Sequence, residues 1–252
     1  MKHMKESCAA CERTGVAMNK EHLFADWLIR RCQANASTIR WGSKMISPLA
    51  ATVPLCKECN SEFGAQLEGP AKTVFEELES GRSVNDEAAE LLIRWMWKIQ
   101  GLGWLASRPY QTVPGIGTLR ARVLEPIVGE RSQLVLCLAR FRRLDEQSVD
   151  YPMGLDSRVH FDLACVAGVF SRLAMIVCRK EHAALVPVHF KRFALAPSRS
   201  FGRASGKRVL APITLADDIE AVGVTYAAAK GLCRQHDLKA LQRERAVPHS
   251  AS

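Results

Sequence analysis

Two Cys-x-x-Cys pairs constrain the fold of this chain more than any other feature of its sequence. They are Cys8 with Cys11, and Cys56 with Cys59. Nine cysteines in 252 residues give roughly 0.3 such pairs by chance, so two accidental pairs are expected in only on the order of a few per cent of such chains. Because four thiolates complete a closed tetrahedral zinc site, the spacing predicts a structural zinc ion that ties the N-terminal turn to the second pair.

The N-terminus and the apolar stretches indicate the compartment in which the chain works. No apolar run follows the charges of the N-terminal segment, so we expect no signal peptide and a cytoplasmic location. The longest apolar stretch, residues 163–178, is interrupted at Ser171-Arg172 and is shorter than the roughly 20 residues of a bilayer span, which predicts a soluble protein with no membrane partner. A reducing compartment favours metal binding over disulfides. The other cysteines are then ordinary buried or incidental thiols: Cys32, Cys137, Cys165, Cys178 and Cys233.

Composition supports a real hydrophobic core and fits a polyanionic partner. Hydrophobic residues make up 48% of the chain, and 35 Lys and Arg against 26 Asp and Glu give a net charge of +9. Such a balance fits nucleic acid, but it is also compatible with a mildly basic enzyme that binds none.

The segment between the cysteine pairs predicts a short helix followed by a loop. Apolar residues recur at helical spacing from Leu23 to Leu28, so Glu21 and His22 are expected just before or at the start of that helix. Polar and helix-breaking residues over 33–50 predict a long loop.

The second cysteine pair is expected between a strand and a helix. Residues 52–55 predict the strand, and the apolar spacing after Asn60 predicts the helix. Gly69-Pro70 should break or restart this helix, and Ser80-Gly81 should end it.

The most regular pattern in the chain predicts a helix over residues 86–102. Asn85 is a favourable N-cap, and apolar residues recur on one side of the helix. The same periodicity places Arg94 and Lys98 on a solvated face.

Beyond that helix the pattern changes to short apolar segments. Segments rich in Val, Leu and Phe predict strands over 133–141, 159–161 and 184–190. Residues 163–178 fit either strands or one buried helix. A helix capped near Thr214 is expected over 215–234, with a frayed tail from residue 238.

The expected fold class is therefore α+β with two regions. Gly, Pro and Ser over 101–117 indicate a boundary. We expect an N-terminal module with its following helices at 1–107, and a mixed strand and helix region of unknown role at 108–252.

Short motifs around the cysteine pairs carry a family resemblance. Lys20-Glu21-His22 is followed by an aromatic-rich segment, and the second cysteine pair is followed directly by Asn60. This order resembles the HNH endonuclease family with its zinc-bound ββα-metal motif, and most closely a bacterial branch that reads Glu-His, Cys-Asn and then Leu-Glu, here Leu67-Glu68. The resemblance covers about residues 8–100. It implies an N-terminal ββα-metal module and hydrolysis of phosphodiester bonds of DNA.

The resemblance also implies roles for single residues. His22 would be the general base that deprotonates a water molecule. Glu21 and Asn60 would hold a divalent ion, and their oxygen ligands favour Mg²⁺ or Mn²⁺ over zinc. Glu68 would either face the same ion or orient one of its ligands, and a plain solvated Glu is the alternative interpretation. Proteins of this branch often serve in bacterial genome defence, which is an association and not a mechanism.

One position departs from the family pattern. Ala51 stands where the family has an Asn that braces the loop carrying the base. Either the Thr52 hydroxyl substitutes for it, or this branch does not use that Asn.

Four basic residues are candidate contacts to nucleic-acid phosphates: Arg30, Arg31, Arg40 and Lys44. A solvated surface without a partner is the alternative interpretation of these charges.

Two other functions stay open from the sequence. The chain could be a non-catalytic zinc-ribbon protein that binds nucleic acid, in which case Glu21 and His22 are incidental. It could also be a zinc-stapled interaction module with no nucleic-acid partner. Whether the chain forms a homo-oligomer is likewise open.

Overall fold

The computed structural model describes residues 7–34, 37–41, 44–107, 117–142, 153–155, 165–197, 210–215 and 217–246. Its helices are α1 (Asp26–Arg31), α2 (Lys57–Phe63), α3 (Gly69–Glu79), α4 (Asp86–Ser107), α5 (Leu119–Leu124) and α6 (Asp218–Ala246). Its strands are β1 (Met18–His22), β2 (Ile39–Trp41), β3 (Lys44–Ile46), β4 (Thr52–Cys56), β5 (Leu134–Phe141), β6 (Met153–Leu155), β7 (Val166–Phe170), β8 (Leu173–Arg179), β9 (Lys191–Ala194) and β10 (Ile213–Leu215). A π-helical turn, Gly64–Glu68, joins α2 to α3. The mixed content confirms the α+β class, and none of the helices in these ranges combines the length and apolar character of a membrane span.

The N-terminal unit consists of two antiparallel strands and the helix that follows them. β1 pairs with β4, and His22 lies opposite Thr52. α2 begins directly after β4, so the predicted strand at 52–55 is confirmed. Glu21 and His22 lie just before α1, which is one of their two predicted placements, but they end a strand and do not begin the helix. Residues 18–22 form a strand because β4 offers them a pairing partner, which the local periodicity does not reveal.

One expectation for this region is wrong. The described part of residues 33–50 is not one loop, since it contains the β2–β3 hairpin and a 3-10 turn. Gly69-Pro70 restarts the helix, which is one of the two predicted outcomes. α3 begins at Gly69, and Pro70 takes its first turn, where its missing N–H leaves no hydrogen bond broken. The predicted end of α3 is confirmed: Gly81 adopts a φ of 83°, and its N–H bonds to the Leu78 carbonyl at 2.9 Å.

α4 runs through the interior of the protein. Asn85 caps it as predicted, with its Oδ1 accepting a hydrogen bond from the Ala88 N–H at 2.9 Å. The solvated face predicted for Arg94 and Lys98 is wrong, because α3, α5, β4 and β7 contact the helix from several sides. Lys98 has no exposed surface. Arg94 donates hydrogen bonds to two carbonyls of α5.

A six-stranded sheet lies beyond α4. Its strand order is β10-β5-β8-β7-β6, and β9 also pairs with β5. The strand predicted over 133–141 is confirmed as β5. For the described part of residues 163–178 the strand alternative holds, because β7 and β8 form a hairpin whose turn residue Ser171 has a φ of 54°.

The remaining C-terminal predictions have mixed outcomes. The strand predicted over 184–190 is wrong, since a 3-10 turn, Lys180–Leu185, and further turns occupy this segment. The predicted helix is confirmed as α6, although Asp217 caps it by accepting from the Glu220 N–H at 2.7 Å. Its backbone continues to Ala246, so residues 238–246 are helical, and the rest of the predicted tail lies outside the described residues. The strand predicted over 159–161 lies outside the described residues.

Hydrophobic cores lie on both faces of the sheet. Along β5, Leu134, Leu136 and Leu138 face the N-terminal helices, whereas the alternate residues face α6. This alternation follows from the two-residue period of a strand. Regions 1–107 and 108–252 therefore share a core, and their division into two domains stays a prediction.

Arg131 anchors the start of α4 from inside the protein. Its side chain is 2% exposed and pairs with Asp86 and Glu90 of the helix. Asp86 also accepts a hydrogen bond from the Ala196 N–H at 2.9 Å, and Glu90 accepts one from the Ile127 N–H at 3.0 Å. The cluster therefore links α4 to the segments that flank the sheet.

Replacing Arg131 by Met should destabilise the protein by about 3–5 kcal/mol, because it removes the nearest cation of two buried carboxylates. Urea unfolding followed by tryptophan fluorescence measures this change. The control is Lys191→Met at an exposed position of β9, which should change the free energy of unfolding by less than about 0.5 kcal/mol. Equal stability of the two variants would contradict the role of the cluster.

Candidate functional site

Four cysteine sulfur atoms converge next to the ββα unit. The Sγ atoms of Cys8, Cys11, Cys56 and Cys59 all lie within 4.8 Å of one another. The first two belong to an N-terminal turn, closed by a hydrogen bond from the Cys8 N–H to the Arg13 carbonyl at 2.9 Å. The last two lie where β4 passes into α2. Residues far apart in the chain thus meet at one point.

The geometry of the four cysteines fits a zinc ion. Tetrahedral zinc–sulfur bonds of about 2.3 Å place the sulfur atoms about 3.8 Å apart, and the Cys11 and Cys56 Sγ atoms are 3.8 Å apart. The Cys56 N–H donates to Cys8 Sγ at 3.3 Å, and the Cys59 N–H donates to Cys56 Sγ at 3.5 Å. Such donors stabilise thiolates. The four cysteines could therefore hold a zinc ion, as their spacing predicts.

Arg13 adds to this cluster a positive charge that the cysteine spacing does not predict. Its guanidinium donates to Cys11 Sγ at 3.2 Å and to Cys56 Sγ at 3.5 Å, and it binds Glu58 at 2.6 Å. Burial raises the pKa of Cys11, but hydrogen bonds, those from Arg13 foremost, outweigh it and lower that pKa to about 6. The cation therefore favours the thiolate form. The sequence feature that indicates this contact is an Arg two residues after a cysteine pair.

A second cluster of polar and charged side chains surrounds Glu21. The Lys98 Nζ atom lies 2.7 Å from Glu21 Oε1 and 2.9 Å from Glu68 Oε1. The other oxygen of Glu68 accepts hydrogen bonds from the indole N–H groups of Trp27 and Trp95 at 2.9 and 3.0 Å. The cluster therefore joins β1, the π-helical turn, α1 and α4.

Lys98 carries its charge inside the protein. Burial lowers the pKa of its ammonium group, but the Glu68 and Glu21 carboxylates outweigh burial, and the pKa lies above its usual value. The lysine is therefore positively charged at neutral pH. With both carboxylates ionised, two negative charges and one positive charge leave the cluster one negative charge.

His22 directly follows Glu21 and is the last residue of β1. The residue is half-buried, and its Nδ1 atom is buried without a hydrogen-bond partner among the described residues. The chain that follows it is held in place, since the Leu23 N–H donates to the Ala51 carbonyl at 2.8 Å. Ala51 thus braces this segment through its backbone, at the position where the family pattern has an Asn. A buried polar atom without a partner costs free energy, which marks His22 as a candidate functional group.

The oxygen donors predicted to hold a divalent ion differ in how well they fit one. Asn60 is half-buried on α2, which packs against β1. Glu21 has a second oxygen besides the one bound to Lys98, and such oxygen donors fit Mg²⁺ or Mn²⁺. Glu68 fits less well, because it is 7% exposed and already accepts from three donors. Its contacts suit the alternative role, that of orienting a ligand.

The basic residues predicted to contact nucleic acid have different surroundings. Arg31 pairs with Glu79 and so ties α1 to α3. Arg30 is exposed and pairs within α1. Lys44 is exposed on β3, and the Arg40 side chain lies outside the part that the structure describes. Arg30 and Lys44 are therefore the accessible candidates.

No protein-family model, curated protein or solved structure matches this chain.

The purified protein should contain about one zinc ion per chain, as measured by elemental analysis. Cys56→Ala should lose the ion and melt at a lower temperature, because a closed zinc site contributes folding free energy. Cys32→Ala removes an equally buried thiol outside the cluster and should keep the ion. Zinc retained in Cys56→Ala, or lost in Cys32→Ala, would contradict the assignment.

Proposed function

We propose that this chain is a metal-dependent HNH-type endonuclease that hydrolyses phosphodiester bonds of DNA. The observation that carries the proposal is the arrangement of the ββα unit. The cysteine cluster lies at the end of the two strands where Met18 is opposite Cys56, and His22 lies at the opposite end. A zinc staple at one end and an imidazole at the other agree with the ββα-metal motif that the sequence resembles.

Within this proposal His22 is the general base. Its imidazole would accept a proton from a water molecule while the water oxygen attacks phosphorus and the bond to the departing 3′ oxygen breaks. Imidazole suits this step because its protonation changes near neutral pH. The Leu23–Ala51 backbone hydrogen bond keeps the segment that carries the base in place.

Glu21 and Asn60 would hold a Mg²⁺ or Mn²⁺ ion in this site. When bound, such an ion stabilises negative charge on the phosphate and on the departing oxygen. The single negative charge of the Glu21, Glu68 and Lys98 cluster favours a cation there. Glu68 does not touch the ion in this proposal, since Lys98 and the two indoles occupy its oxygens.

The net charge supports DNA as the substrate. A charge of +9 attracts a polyanion and speeds its association. The exposed Arg30 and Lys44 are candidate phosphate contacts. Region 108–252 would then contribute substrate choice or oligomerisation, and a role in genome defence follows only from the resemblance.

His22→Ala should reduce Mg²⁺- or Mn²⁺-dependent cleavage of plasmid DNA by at least about a hundredfold, because it removes the general base. Its zinc content should not change, since His22 is not part of the cysteine cluster. His189→Ala replaces an exposed histidine of the C-terminal region and should cleave like the unaltered protein.

Two outcomes would count against this assignment. Retained cleavage by His22→Ala would exclude His22 as the base. A protein that shifts DNA in a salt-dependent gel assay but never cuts it would be a non-catalytic zinc-ribbon protein instead.

A further inference from the structure

Lys98 is a buried cation in contact with the residue that precedes the proposed base. It has 0% exposed surface, and a buried ammonium is unfavourable unless it is paired. It is paired twice, with Glu21 Oε1 at 2.7 Å and with Glu68 Oε1 at 2.9 Å. Because Glu21 directly precedes His22, Lys98 contacts a residue of the proposed catalytic site.

Glu68 is in turn fixed by an aromatic cluster. Its Oε2 accepts from the Trp27 and Trp95 indoles, whose ring centroids lie 6.0 Å apart. The Phe75 ring lies 5.3 Å from Trp27 and 5.0 Å from Trp95. Close-packed rings of this kind move little. The aromatic rings therefore hold Glu68, Glu68 holds Lys98, and Lys98 holds Glu21.

We propose that Lys98 is a positioning residue that aims Glu21 at the divalent ion and keeps Glu68 away from that ion. This inference rests on the proposed function. Lys98 binds one oxygen of Glu21 and so leaves the other oxygen for the ion. The same ammonium balances the charge of Glu68, so this second carboxylate does not compete for the cation.

A purely structural role is the alternative, and the Arg131 cluster provides its control. Arg131 is also a buried cation between two carboxylates, Asp86 and Glu90. It binds the first turns of α4, and Glu90 lies about 12 Å along the helix axis from Lys98. Lys98→Met and Arg131→Met should therefore both lose stability, but only Lys98→Met should alter the divalent site.

Electron paramagnetic resonance of Mn²⁺ bound to the full-length, zinc-loaded protein tests this difference without DNA. Spectra are recorded at a temperature at which circular dichroism shows each variant to be folded. Lys98→Met should bind Mn²⁺ at least as tightly as the unaltered protein, because a nearby positive charge is gone, but with a changed line shape. At saturating Mn²⁺ it should cleave DNA at least about tenfold more slowly.

Two matched variants complete the design. Arg131→Met should match the unaltered protein in Mn²⁺ affinity, line shape and cleavage once it is folded. Lys98→Arg keeps the charge and should restore most of the cleavage. Unchanged line shape and cleavage in folded Lys98→Met, weaker Mn²⁺ binding by it, or equal changes in Arg131→Met would each overturn the positioning role.

The failure of this inference is distinguishable from failure of the proposed function. If the unaltered protein binds Mn²⁺ but cuts no DNA, the nuclease function fails, while a line shape that depends on Lys98 still supports the positioning role. If the unaltered protein binds no Mn²⁺, both fail.

If Lys98→Met does not fold, Trp27→Phe tests the positioning role instead. It removes one N–H donor to Glu68 but keeps an aromatic ring against Phe75 and Trp95. It should change the Mn²⁺ line shape and slow cleavage several-fold, with unchanged zinc content. An unchanged line shape and an unchanged cleavage rate would overturn the proposal.

Discussion

The central turns of α4 are buried from several sides, so a charged group on them requires a partner inside the protein. Near the start of the helix Glu90 pairs with Arg131, and further along Lys98 pairs with Glu21 and Glu68. The first cluster ties α4 to the segments that flank the sheet, and the second ties it to the ββα unit. The helix thus sets both how the sheet packs and where Glu21 lies. Lys98 thus connects the core around α4 to the candidate site.

Sequence reasoning succeeds here where the determinant is local. The cysteine spacing predicts the cluster because ligand type and tight turns are properties of short segments, and Asn85 predicts the start of α4 for the same reason. Prediction from local sequence fails for β1, because residues 18–22 are a strand only through pairing with β4, about thirty residues later. It also fails for Lys98. Helical periodicity assumes a solvent-facing side, and that assumption breaks down once several elements cover the helix.

The same distinction between local and distant determinants applies to the candidate site. Glu21, His22 and Asn60 can be selected from the sequence because their residue types and order form a motif. The contacts that orient them cannot, since Lys98, Trp27 and Trp95 approach from elements whose packing no local pattern encodes. Glu68 shows the difference most clearly. Its place in the motif leaves ligation, orientation and a solvated side chain open, and only its burial and its three hydrogen-bond donors favour orientation.

The two candidate metal sites use different donors at opposite ends of one short sheet. Sulfur donors select zinc at the Cys56 end, and oxygen donors favour a harder ion near His22. Met18 and His22 are four strand steps apart, or about 13 Å, which exceeds the roughly 8–10 Å over which exposed charges interact in physiological salt. A zinc ion at the cysteines would therefore influence the distant end mechanically. It would keep β1 and β4 in register, and a one-residue slip of β1 would turn Glu21 and His22 each to the opposite face of the sheet.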